Sequence, residues 1–105
     1  MEKIERDGKT AVLFSPGYGA GWSTWASDSA VKEAMCMDAR IVGAFLEGGK
    51  EAAAAAVETL FPGNYTGGAR DLEVIWIEKG KLFEIEEYDG FESLHVIGAR
   101  PYLMA

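Results

Sequence analysis

Strand patterns stand at both ends of this 105-residue chain, and helical patterns lie only in between. Strands grouped at the termini with helices between them indicate an α+β fold. The expected architecture is an antiparallel sheet of about five strands, in ββ-ααα-βββ order, with the helices packed on one face. A length of 105 residues suits one domain, residues 1–105, with a single core.

The punctuation supports that order. Lys3–Arg6 and Lys9–Phe14 flank Asp7-Gly8, a pair suited to a type I′ hairpin turn because both central residues tolerate positive φ. Ser29–Met37 reads as a helix, with Asp28 or Ser29 able to accept its free N–H groups. Asp38 then caps a second helix through Leu46, and Gly48-Gly49 supplies a left-handed stop. Lys50–Phe61 is a third helix, carrying five consecutive alanines, Ala52–Ala56, and ending at Pro62-Gly63. That alanine face is suited to lie on the sheet or against a second copy, so a homo-oligomer is one expectation. Three strands follow, Leu72–Glu78, Lys81–Tyr88 and Phe91–Ile97, joined at Lys79-Gly80 and Asp89-Gly90. In the second of these, Phe83, Ile85 and Glu87 share the face expected to be buried. Leu72–Ile77 is nearly apolar throughout, as a central strand would be.

The formal charge of −7 weighs against long nucleic acid, where binding comes from basic residues neutralising phosphates, and against anionic membranes. No segment is long and apolar enough to span a bilayer, the first residues do not read as a signal peptide, and the single cysteine, Cys36, has no internal partner. The expectation is a soluble cytoplasmic protein. Between Asp71 and Glu92 eight acids face two lysines. They are either the solvated face of a sheet or an acidic surface that docks on a basic partner.

The candidate site lies in two glycine-bearing loops. The first reads Ser-Pro-Gly-Tyr-Gly-Ala-Gly-Trp-Ser-Thr-Trp from Ser15 to Trp25. It lacks the third glycine of a dinucleotide fingerprint, whose place Trp22 takes, and the Gly-Lys-Ser/Thr ending of a P-loop. Successive N–H groups in such a turn can still form an anion-binding nest. Gly17, Gly19 and Gly21 would supply the backbone and Ser15, Ser23 and Thr24 hydroxyl donors. Tyr18, Trp22 and Trp25 would supply flat faces for stacking on a base. The second loop offers Tyr65, Thr66, Gly67, Gly68 and Arg70, the last able to grip a phosphate. The opposing reading makes Trp22 and Trp25 core plugs and pairs Arg70 with Asp71 or Glu73. Arg40 and Arg100 are further cations without an assigned place.

Catalysis and metal binding have little footing. His95 is the single histidine, and neither it nor Cys36 has zinc-site spacing; no acid pattern matches an EF-hand. No cofactor is called for by any motif.

Ser15–Trp25, together with Tyr65–Val74 and Ile85–Leu94, resembles a small family of uncharacterised tailed-bacteriophage proteins. The resemblance spans most of the chain and carries over no catalytic or binding residue. It implies an infected bacterium as the setting and an action on the host, such as sequestering a defence signal. The leading expectation is thus a non-enzymatic protein that holds a small anionic, nucleotide-like ligand between the two loops. An acidic inhibitor or adaptor docking on a basic host protein is the alternative, and a small enzyme is the third.

Overall fold

Strand β2 (Lys9–Phe14) is covered on both faces, and the rest of the fold follows from what covers each. The computed structural model describes residues 1–17, 20–26 and 28–97, with the backbone of 103–104. Ala11 and Leu13 point into one cluster, shared with Trp22, Met35, Ile41, Ala53 and Val57. Val12 points the other way, toward Cys36, Met37, Ile77 and Phe83. The two-residue period of the strand divides its side chains between these layers.

β1 (Glu5–Arg6) and β3 (Glu73–Glu78) pair antiparallel on either side of β2, in the order β1-β2-β3. β4 (Leu82–Tyr88), β5 (Phe91–Ile97) and the short β6 (Leu103–Met104) make a second antiparallel sheet, ordered β5-β4-β6. The fold is therefore α+β with antiparallel strands, but the single five-stranded sheet divides into two. The expected central strand also changes: β3 lies at an edge, and β2 holds the centre. Lys79-Gly80 does not close a hairpin. Lys79 N–H donates to the Gly8 carbonyl at 2.9 Å, and Gly80, at φ 88°, turns the chain out of the first sheet. Phe83 and Ile85 are thereby laid over Val12 and Ile77, burying apolar area that a coplanar strand would have left uncovered.

Both true hairpin turns have the expected chemistry. Asp7 and Gly8 take φ of 52° and 76°, and Asp89 and Gly90 take 51° and 84°. The second turn sets Tyr88 opposite Phe91 and Glu87 opposite Glu92.

Helix α1 (Ser29–Met37) is capped by Asp28, whose carboxylate accepts from Val31 N–H at 2.9 Å. The second and third helices follow as one element, α2 (Ala39–Leu60), whose two helical halves meet at a break at Gly49 (φ 81°, ψ −160°), where the stop was expected. A residue with no Cβ takes that non-helical conformation at little cost. One face of the alanine tract lies inward: Ala53 and Val57 are fully buried beside Ala11 and Leu13, while Ala55 is exposed. No described helix is long and apolar enough to cross a membrane.

One buried residue joins the two helices. Asp38 accepts from Arg40 N–H at 2.8 Å and holds the guanidinium through Nε and Nη2 at 3.0 and 2.8 Å. The hydrogen bond from the Arg40 side chain holds its carboxyl below the ordinary value of 3.8. The partner guanidinium is largely exposed, so water screens much of the Coulomb attraction. A depressed carboxyl contributes stability above the unfolded value and loses it as the pH falls through the folded one. Asp38→Ala is expected to lower the unfolding free energy at pH 7 by about 1–2 kcal/mol, the usual worth of a cap. Urea titrations at pH 7 and pH 3 check this, with the gap between variant and wild type narrowing in acid.

Candidate functional site

Three N–H groups of the loop do point inward, but they belong to Ser15, Trp22 and Thr24 and not to the glycines expected to supply them, and they are filled from within the chain. Glu92, the second residue of β5, is completely buried. Its Oε1 accepts from Ser15 N–H at 2.8 Å. Its Oε2 accepts from Trp22 N–H at 2.7 Å, Thr24 N–H at 3.1 Å and the Thr24 hydroxyl at 2.6 Å. Glu92 N–H in turn donates to the Ser15 carbonyl at 2.9 Å, so strand and loop are clasped through backbone and side chain together. Hydrogen bonds to a charged acceptor are worth about 1.5–3 kcal/mol each. Four of them offset the several kcal/mol that burying a carboxylate costs.

Glu92 thus leaves the acidic surface to which the sequence assigned it. The Asp89-Gly90 turn sets the register, and that register puts Glu92 on the inward face with Ile85 and Leu94. Six of the other acids, from Glu73 to Asp89, are exposed or half-buried, and Glu87 accepts from Gly90 N–H at 2.6 Å within its own turn.

The two loops meet. A Cβ on Gly68 would fall on the Gly21 carbonyl, so their backbones touch at a spot where only glycine fits. Gly17 lies as closely against the Asp71 side chain. The tryptophans divide between the two roles open to them. Trp22 is fully buried and its indole N–H donates to the Met35 carbonyl at 2.6 Å, which makes it a core residue. Trp25 is 40% exposed, and its ring lies 5.3 Å from that of Tyr65, which is 51% exposed. Ser15 and Ser23 are buried, and the Ser15 hydroxyl donates to the Ala20 carbonyl at 3.3 Å. Thr66 precedes the 3-10 turn Gly67–Asp71. Tyr18, Gly19 and Arg100 lie outside the described residues.

Arg70 is not at the nest. It is exposed and lines an open depression of about 650 Å³ together with Gly48, Gly49, Lys50, Glu51, Ala54 and Ala69. Among the described residues neither Arg70 nor Lys50 is paired with an acid. Arg70 lies within the 3-10 turn, five residues along the chain from Tyr65. Lys50 and Glu92 were not among the residues the sequence singled out for this site. The kink at Gly49 marks where Lys50 sits, and the hairpin register was the available signal for Glu92.

The reactive groups elsewhere are poorly arranged for catalysis. Ser93 Oγ lies 3.3 Å from His95 Nε2, and Glu86 lies 4.0 Å from the same nitrogen. A relay needs serine and acid on opposite ring nitrogens. Burial, with lesser contributions from Glu33 and Glu92, pushes the Cys36 thiol up to about 12. Among the described residues no three His, Cys, Asp or Glu side chains converge to hold a metal ion. No family model, curated protein or solved structure matches this chain.

Gly68→Ala is expected to cost about 1–3 kcal/mol, because its neighbour is backbone that cannot turn aside. Gly67→Ala is expected to cost far less, since there a Cβ meets only the outer end of the Tyr65 ring. Chemical denaturation of both variants measures the difference. Cys36 is expected to stay unmodified by a thiol reagent at pH 8 in the native protein and to react fully in denaturant. A thiol count by mass spectrometry reads this directly.

Proposed function

We propose that this chain is a non-enzymatic binding protein for a small anion bearing a flat, nucleotide-like group. The observation that carries the reading is the exposed Trp25–Tyr65 ring pair at the junction of the two glycine loops. Two further features support it: the cations Lys50 and Arg70, unpaired among the described residues, and the depression they line. The volume of that depression falls within the range of small-molecule sites. On this reading the rings stack on the flat group and the two cations take its negative charge. The loop N–H groups, engaged by Glu92, instead hold the platform in shape. Sequestration of a host nucleotide signal during phage infection is the role that the resemblance would add.

A second reading, docking on a basic host protein, draws on the tip of the β4–β5 hairpin. There Tyr88 is 81% exposed among the exposed acids Glu86, Glu87 and Asp89. An exposed aromatic ringed by charge is a common form of interface anchor.

Calorimetry against mononucleotides and cyclic dinucleotides tests the first reading. Stacking is worth about 1–3 kcal/mol per base, so Trp25→Ala is expected to weaken binding roughly fivefold to a hundredfold. Arg70→Ala is expected to weaken it about tenfold or more, and Tyr88→Ala to leave it unchanged. Absence of heat with every nucleotide at millimolar concentration rejects the reading. Retention of a basic lysate protein that is lost with rising salt and with Tyr88→Ala, yet kept by Trp25→Ala, establishes the second instead.

A further inference from the structure

The donors around Glu92 come from two separate stretches of chain: Ser15 at the exit of β2, then Trp22 and Thr24 after the loop has turned back. Among the described residues no lysine or arginine takes part in this set. One carboxylate oxygen receives a single N–H, and the other receives two N–H groups and a hydroxyl. Such an array matches a planar, two-oxygen monoanion. A tetrahedral dianion would bring more oxygens than this array is shaped to meet, and no cation to balance its charge.

We infer that Ser15, Trp22 and Thr24 form a carboxylate-binding site in its own right, occupied in the folded chain by the Glu92 side chain. A free carboxylate of similar shape, such as acetate, takes the same site when that side chain is cut back.

Two observations carry this beyond a structural hydrogen bond. Two of the walls have attachments besides the carboxylate: the backbone N–H of residue 92 holds the Ser15 carbonyl, and the Trp22 indole N–H holds the Met35 carbonyl. The walls are also largely removed from water: Ser15 and Trp22 are fully buried, and only Thr24 is half-buried, beside a small open depression. Removal of the CH₂-carboxylate therefore leaves a lined space with three N–H groups and a hydroxyl, which is the setting in which a small anion is bound more strongly than in water. Buried donors left without a partner are costly, so an incoming acceptor recovers much of what the substitution lost.

The site also has a consequence for the surface. Thr24, with two of the four bonds, directly precedes Trp25, whose ring packs on Tyr65. Glu92 is accordingly a positioning residue for that aromatic pair. This last step alone rests on the ligand-binding reading above.

The experiment compares thermal unfolding of wild type, Glu92→Ala and Glu92→Gln in sodium acetate and in sodium chloride at equal ionic strength. Glu92→Ala is expected to melt at least about 10 °C below wild type in chloride. Acetate is expected to raise its Tm saturably by about 5–10 °C. Wild type and Glu92→Gln, whose sites are filled by a side chain, are expected to show no acetate-specific shift. If Glu92→Ala does not fold in chloride, its refolding yield from urea in the two salts gives the same reading, with recovery expected in acetate alone. Equal response of Glu92→Ala to acetate and chloride overturns the inference, as does an equal acetate shift in all three proteins. The melts contain no nucleotide, so the carboxylate site stands or falls separately from the nucleotide screen.

Discussion

A carboxylate removed from water has to find donors for its lone pairs, and Glu92 finds them in a loop seventy residues earlier in the chain. That requirement ties the start of β5 to the end of β2 and so joins the two sheets at their shared end. It also dictates the course of the glycine loop, because Ser15, Trp22 and Thr24 all have to aim inward. With the loop turned this way, the Trp22 ring enters the core and reaches the Met35 carbonyl of α1, while Trp25 is left outside. The division of the tryptophans into a core residue and a surface residue is thus a consequence of where one charge is buried.

The second constraint is the close approach of backbones at Gly21 and Gly68. It brings Tyr65 beside Trp25 and sets Ala69 into the core, with Arg70 directed outward over the kink in α2. The glycine loop is therefore a clasp on its inner side and a platform on its outer side. The proposed ligand site uses the outer side only, and the inner donors, already engaged, contribute order without contacting the ligand.

The local elements were legible because local chemistry decides them. Asp28 and Asp38 cap as their side chains dictate, Asp-Gly pairs make the two I′ turns, and Gly49 breaks the helix because a left-handed φ suits only a residue without Cβ. The division into two sheets was not legible in the same way. Lys79-Gly80 looks like any tight turn, and the alternation of β4 is equally compatible with lying beside β3 or across it. Similarly, the near-continuous apolar run of β3 suggested a central strand. Yet β3 stands at the edge of its sheet with Glu73, Ile75 and Glu78 exposed, and β2 with four consecutive buried residues takes the middle.

Charge shows the same boundary most clearly. Composition alone establishes that the chain is acidic and that its eight late acids outnumber two lysines, and the period of a strand establishes which of those acids share a face. Whether a given face meets water or a set of N–H groups depends on what lies across from it, which periodicity does not encode. For Glu92 the answer came from a loop distant in sequence, and the same tertiary contact made donors of Ser15, Trp22 and Thr24 and not of the alternating glycines. The sequence by itself determined the turns, the caps and the helical middle. Only the tertiary structure decided which loop N–H groups point inward and what they hold, because burial of a charge is settled by long-range packing.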